Sequence, residues 1–308
     1  MQEYEFGTIF KKLRIKKGLT LGTACQDICS EDKLLKFEQG AYYLDWHTFT
    51  KLMQRLGADL KPHYSDFKSQ ETHRVMRFKQ EMKFLLRKRK KHESFVLLEK
   101  AENDDVMQQG KALQFLLYAK ANLAYLGKEY DRAYDYALNG IKITIPDYNE
   151  DEIANYSLEI EEMLLIQQLA FLYSARNLYE KSLDILLKLN SSFNSFYKNN
   201  YPFDTLDSFR LEGSILYNIS RCIAFLERTD EWLSSCDEGI AFCIKYYDAH
   251  YMPLFMANKA YCFFYQKKND EGIQLMTDAF ILFKVFNRNK EISILKKATK
   301  DAYGIEIN

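Results

Sequence analysis

The sequence predicts an all-α protein in two parts, a small N-terminal bundle of short helices and a long array of stacked helix pairs. Three observations carry this. Glycine and proline are scarce, 12 and 4 in 308 residues, so long helices run with few interruptions. Apolar residues recur at three- and four-residue spacing, the helical period. Short polar turns recur beyond residue 120 at spacings of about 49, 50 and 40 residues.

The first helix spans about Gly7 to Lys17, with Phe6, Ile9, Phe10 and Leu13 on one face. Gly18 suits its C-terminal stop. Thr20 is placed to cap a second helix carrying Leu21, Ala24, Cys25 and Ile28. Ser30 precedes a third helix that turns Leu34 and Phe37 inward and ends at Gly40. A fourth carries Phe49, Leu52, Met53 and Leu56. Residues 71–91 read as one further helix, with Val75, Phe78, Met82 and Leu85 in a stripe and Arg87-Lys-Arg-Lys-Lys91 at its end.

The formal net charge of zero hides an asymmetry. Residues 1–92 hold 20 Lys and Arg against 11 Asp and Glu, whereas residues 93–308 hold 23 against 32. A basic N-terminal part fits a polyanionic partner, and the acidic remainder would repel one. Residues 69–92 alone carry nine basic and two acidic side chains. They suit sequence-independent attraction to a polyanion, or simply a cationic helix end that complements the macrodipole.

Other function classes find no support. Cys25, Cys29, Cys222, Cys236, Cys243 and Cys262 form no CxxC pair, and neither they nor the five histidines show zinc-ligand spacing. Free thiols and no metal are expected. No nucleophile elbow, zinc-protease helix or phosphate-binding glycine loop is present, so no catalytic residue, no cofactor and no enzymatic activity are expected. No apolar run approaches the roughly 18 residues of a membrane span, and Met1-Gln-Glu-Tyr-Glu5 is not a signal peptide. A cytoplasmic protein without membrane contact is the expectation.

Phe10-Lys-Lys-Leu-Arg14, Lys17-Gly-Leu-Thr20 and Leu34-Leu-Lys-Phe37-Glu38-Gln-Gly40 resemble the phage-repressor-type helix-turn-helix, the Cro and xenobiotic-response-element class. More closely, residues 7–67 resemble the Rgg and PlcR peptide-sensing regulators of Gram-positive bacteria. The resemblance implies a helix-turn-helix DNA-binding domain over residues 1–68 and a basic linker helix over 69–92. It implies a tetratricopeptide-like peptide-sensing and dimerisation domain over 93–308. It also implies an internal ion pair between Arg14 and Glu38. The recognition helix of such a motif lies in the major groove. Here it runs from about Asp32 to Gln39, with Asp32, Lys33, Lys36 and Gln39 outward. Lys33 and Lys36 can reach guanine edges or phosphates, and Lys16, Lys17, Thr20 and Thr23 flank the turns where phosphate contacts are expected. One departure stands out: Glu31 and Asp32 occupy positions where uncharged polar residues are usual. A carboxylate there repels phosphate, accepts from cytosine N4, or merely caps the helix.

The array reads as four helix pairs, Gln108–Thr144, Leu158–Leu189, Glu212–Tyr247 and Tyr251–Phe286. Leu126-Gly-Lys-Glu-Tyr130-Asp-Arg-Ala133 and Ala175-Arg-Asn-Leu-Tyr179-Glu-Lys-Ser182 look like the tetratricopeptide turn; Arg228-Thr-Asp-Glu-Trp232 and Lys268-Asn-Asp-Glu-Gly272 are degenerate forms. A shift of 40 maps Asn218 to Asn258 and Cys222 to Cys262. Stacked pairs make a superhelix with a concave groove lined by the first helix of each pair. Counting back equally from each turn gives Ala119, Gln168, Asn218 and Asn258, and three residues further lie Asn122, Phe171, Arg221 and Tyr261. Amides suit an extended peptide because each both donates and accepts; amide bonding within the stack is the plainer alternative. The resemblance implies a short secreted peptide in this groove. Asn122, Gln168, Phe171, Asn218, Arg221, Asn258 and Tyr261 are then its candidate contacts, with Arg221 for a peptide carboxylate.

The expected function is a DNA-binding transcription regulator, a homodimer on a palindromic duplex, controlled by a short signalling peptide. Two rival readings are a helical-repeat adaptor for another protein and a peptide-independent phage-type repressor.

Overall fold

A computed structural model describes residues 5–42, 44–57, 70–197 and 206–307. The chain divides into two compact units, Met1–Arg87 and Lys88–Asn308. All regular structure among the described residues is helical.

The N-terminal unit holds α1 (Glu5–Lys16), α2 (Leu21–Cys25), α3 (Glu31–Glu38), α4 (Trp46–Arg55) and α5 (Gln70–Arg87). Side chains mark the starts. Thr20, Ser30 and Asp45 each accept a backbone N–H three residues on, capping α2, α3 and α4. Gly18 and Gly40, at φ +69° and +74°, follow α1 and α3, conformations that cost glycine little. Phe10, Ala24, Cys25, Leu34, Phe37, Phe49, Leu52, Met53 and Leu56 close the core. Phe37 meets Phe10 and Phe49 edge-on at 5.9 and 6.0 Å. Helices α1 and α3 approach so closely that a Cβ on Gly7 would lie 1.7 Å from the Phe37 carbonyl oxygen.

Helix α5 buries Phe78, Met82 and Leu85, the expected stripe. It ends at Arg87, four residues earlier than the sequence pattern suggests. Arg89 takes φ +52° and a new helix starts at Lys91. Like charges three and four apart repel along a helix, and the basic run instead straddles a break.

The C-terminal unit opens with α6 (Lys91–Glu102). First helices α7 (Gly110–Leu126), α9 (Ile160–Ala175), α11 (Leu206–Phe225) and α13 (Met252–Tyr265) follow. They alternate with second helices α8 (Tyr130–Lys142), α10 (Tyr179–Ser192), α12 (Thr229–Tyr246) and α14 (Asn269–Val285). A final helix, α15 (Asn289–Tyr303), lies beyond the last expected pair and covers the apolar end with Ile292 and Leu295. Each first helix packs on the next, α7 on α9, α9 on α11, α11 on α13 and α13 on α15. Each second helix packs on its own partner and on the following first helix. First helices therefore form the tighter, inner row of the stack.

The turns share one backbone device. Lys128, Asn177, Glu227 and Lys267 all have φ between +55° and +63°. The next residue donates its N–H to a carbonyl five positions back, as in Leu178 to Tyr173 and Lys268 to Phe263, both 2.9 Å. Their spacing reproduces the 49, 50 and 40 read from the sequence. The same turn also joins α12 to α13 at Tyr247 and α14 to α15 at Asn287, so positions 227, 247, 267 and 287 repeat strictly. The second half of the array is thus built on a half-repeat that the sequence spacing of pairs did not expose.

Candidate functional site

Two surfaces carry the expected chemistry, one in each unit. The first is α3 and the turns around it. Arg14 on α1 donates from Nε and one terminal nitrogen to the two oxygens of Glu38 on α3, at 2.6 and 2.8 Å. Its other terminal nitrogen reaches the Leu19 carbonyl at 2.7 Å. Both side chains are buried, and the hydrogen bond to Glu38 raises the guanidinium's pKa further. The pair locks α1, α3 and the α1–α2 turn together and leaves neither residue available to an outside ligand.

The lock fixes which side of α3 faces out. Asp32, Lys33, Lys36 and Gln39 are all exposed, as are Lys16, Lys17, Thr20 and Thr23. They are not equally free. Lys36 Nζ sits 2.7 Å from Asp32 Oδ2, one turn apart on the helix. Lys33 lies over the Tyr42 ring at 5.9 Å. Thr20 and Thr23 share a hydroxyl–hydroxyl bond of 2.6 Å, so Thr20 is engaged as cap and hydroxyl partner. Glu31 is turned away from the outward face: a Cβ on Gly22 would lie 2.5 Å from its Oε1, which puts the carboxylate against α2. With Asp32 it also places negative charge in the first turn of α3, where the macrodipole favours it. The carboxylate at position 31 is exposed and lies beside α2 at the start of α3.

The second surface is the row of first helices. The two rows of candidate residues separate by depth. Gln168 and Asn258 are buried, and Asn258 donates to Ser220 Oγ on the neighbouring first helix at 3.0 Å. That row is the seam between consecutive first helices, the amide bonding within the stack that was the plainer alternative. Gln168 Nε2 is buried with no hydrogen-bond partner, and such a donor costs about 1–3 kcal/mol when left unmade. The row three residues on is more open. Asn122 and Phe171 are half-buried, and Arg221 is exposed. Asn122 and Asn218 each donate to a carbonyl of their own helix, at 3.2 and 2.8 Å. Tyr261 is turned into the wall, bonded to the Leu295 carbonyl and stacked on Tyr303.

Arg221 stands among rings. It lies 5.9 Å over Tyr217 and 5.8 Å over Phe225, and no carboxylate pairs with it among the described residues. Phe225 stacks on Tyr179 at 4.5 Å, and Tyr125 packs on Phe171 at 6.4 Å. Burial pushes the Tyr125 and Tyr217 phenols up, while the Arg221 charge acts on both in the opposite sense. The result is an aromatic floor with one guanidinium that donates to Asn218 Oδ1 at 3.5 Å and meets no carboxylate among the described residues.

No protein-family model matches the chain, and no curated protein matches it in sequence. Solved structures do match. PlcR of Bacillus thuringiensis, in complex with the peptide PapR7 and DNA, superposes with a TM-score of 0.74 at 14% identity, covering 95% of this chain and 99% of that one. ComR from S. thermophilus, in complex with DNA and its signalling peptide ComS, gives 0.64 at 15% identity over 97% and 99%. The Streptococcus dysgalactiae SHP pheromone receptor Rgg2 gives 0.63 at 12% identity over 96% and 98%. This chain has their fold. The likeness runs through both units, helix-turn-helix and helical repeats together.

Some residues of both surfaces escaped the sequence reading. Leu35, 38% exposed on α3, adds an apolar contact to the outward face. Arg55 of α4 donates to the Thr23 and Gln26 carbonyls, fixing the C-terminal end of α2. Tyr217 and Phe225 lie four residues either side of Arg221, a helical neighbourhood that the spacing alone could have flagged. Tyr125 and Tyr179 come from other helices, and no local pattern reveals them.

Proposed function

We propose that this chain is a DNA-binding transcription regulator controlled by a short peptide held along its first helices. The single observation that supports it most is the likeness over both units to proteins crystallised with DNA and a peptide at once. The local chemistry agrees. An exposed polar face on α3, held by the buried Arg14–Glu38 pair, suits the major groove. Lys16, Lys17, Thr23 and Lys33 suit phosphates and base edges around it. The floor of Tyr125, Phe171, Tyr217 and Phe225 suits apolar side chains, Asn122 and Asn218 suit a peptide backbone, Arg221 suits a carboxylate, and Gln168 is sealed in the seam behind them. Asn258 and Tyr261 support the wall.

In this reading the N-terminal unit binds a palindromic operator as a homodimer in the cytoplasm. No described helix is long and apolar enough to cross a membrane. The peptide acts by favouring one arrangement of the array over another, which changes the dimer's fit to its operator. The feature that favours the adaptor alternative is the carboxylate pair Glu31 and Asp32, which would repel phosphate; the pairing of Asp32 with Lys36 supports the DNA reading instead. Fluorescence anisotropy with duplex from upstream of the chain's own gene, at two salt concentrations, tests the proposal. Saturable binding that exceeds a scrambled duplex and weakens with salt is expected. Equal binding to both duplexes would leave the adaptor reading.

A further inference from the structure

The outward face of α3 holds an ion pair where separate cations and anions were expected. Asp32 and Lys36 are 67% and 53% exposed, and their charged atoms lie 2.7 Å apart. Both point away from the core that Leu34 and Phe37 fill. Among the described residues each is the other's only hydrogen-bond or ion-pair partner, so neither reaches another helix. A pair this exposed adds little to stability, so its value to the fold does not explain it.

Its geometry has a counterpart in the major groove. The edge of a G·C pair presents the guanine O6 acceptor beside the cytosine N4 donor. Those two atoms are hydrogen-bonded to one another, so they stand about 3 Å apart. A lysine Nζ and a carboxylate oxygen at the same separation present the complementary donor and acceptor. We propose that Asp32 and Lys36 read a single G·C pair as one unit, Lys36 donating to guanine and Asp32 accepting from cytosine. This rests on the DNA-regulator reading and names what that surface recognises. It also gives the Asp32 carboxylate a purpose: by neutralising Lys36 it withholds that cation from the phosphates. Lys36 then contributes to sequence preference and not to general affinity.

Selection of full-length protein against a random-sequence duplex library, with and without the peptides encoded beside its gene, tests this. Wild type, Asp32→Ala, Asp32→Asn and Lys36→Ala are compared. Both side chains are exposed, so folding is not at stake. The expected result is one G·C position in the wild-type motif whose preference falls about tenfold or more in Asp32→Ala and in Lys36→Ala alike. Asp32→Asn frees Lys36, so its binding to random duplex strengthens and the salt slope steepens by about one. A wild-type motif whose G·C preferences survive all three variants, or which relaxes at an A·T pair, overturns the inference and leaves DNA binding standing. Absence of any motif for wild type overturns the DNA-regulator reading and the inference with it.

Discussion

Replacing Glu38 with alanine strands the Arg14 guanidinium in the core of the N-terminal unit. In the native chain Arg14 makes two bonds to Glu38 and one to the Leu19 carbonyl, with the two side chains 10% and 1% exposed. Breaking a buried pair by deleting one member costs about 3–5 kcal/mol, because an uncompensated charge remains. For a domain of roughly 60–100 residues each kcal/mol moves the melting point by about 4–8 °C, so a fall of at least about 12 °C is expected. Differential scanning calorimetry, read on the N-terminal transition, measures it. The double variant Arg14→Met, Glu38→Leu strands no charge and is expected to recover most of the loss. A Glu38→Ala cost below about 1 kcal/mol, the size of an exposed pair, would refute the claim that this pair organises the unit.

Four further outcomes follow from the same geometry. Arg221→Met keeps the stem over Tyr217 and Phe225 but removes the fork; peptide affinity measured by calorimetry should fall about tenfold or more with the melting point unchanged, whereas Asn258→Ala should lower the melting point through the lost Ser220 bond. Gly7→Ala places a methyl against the Phe37 carbonyl and should destabilise the N-terminal unit by at least about 1–3 kcal/mol, the cost of overpacking, seen in denaturant titration. Asp45 is held below its usual carboxylate range, mainly by the Thr48 hydroxyl and then by the Thr48 N–H; its capping of α4 is complete above the unfolded carboxylate value and lost as pH falls through the lowered one, so Asp45→Asn should flatten the acid limb of an α4 unfolding curve followed by hydrogen exchange.

Local signals made much of this structure legible. Thr20 and Ser30 were readable as caps because a side-chain oxygen before an apolar period has one obvious use. Turn spacing gave the helix pairs because each pair must close before the next can stack. What escaped was set by depth and by backbone. Gln168 and Asn258 share a helical position with Asn218, yet two of the three are sealed in the seam, since burial there depends on how closely neighbouring helices approach. The strict half-repeat at 227, 247, 267 and 287 is occupied by Glu, Tyr, Lys and Asn, so no residue type advertises the left-handed turn. The end of α5 was misplaced because an apolar stripe sets a helix's face but not its stop. The Asp32–Lys36 contact was hidden in plain spacing: i and i+4 opposite charges were both read as ligand contacts, not as partners.

Coupling between the DNA and peptide surfaces is what the proposed function most directly requires. The affinity of the full chain for its own upstream duplex is measured with and without a peptide encoded beside its gene, and the peptide's affinity with and without that duplex. Linkage requires the two ratios to be equal. A common factor of about five or more, typical of allosteric coupling, is expected, and it disappears in Arg221→Met. Peptide binding that leaves the affinity for the duplex unchanged would contradict it.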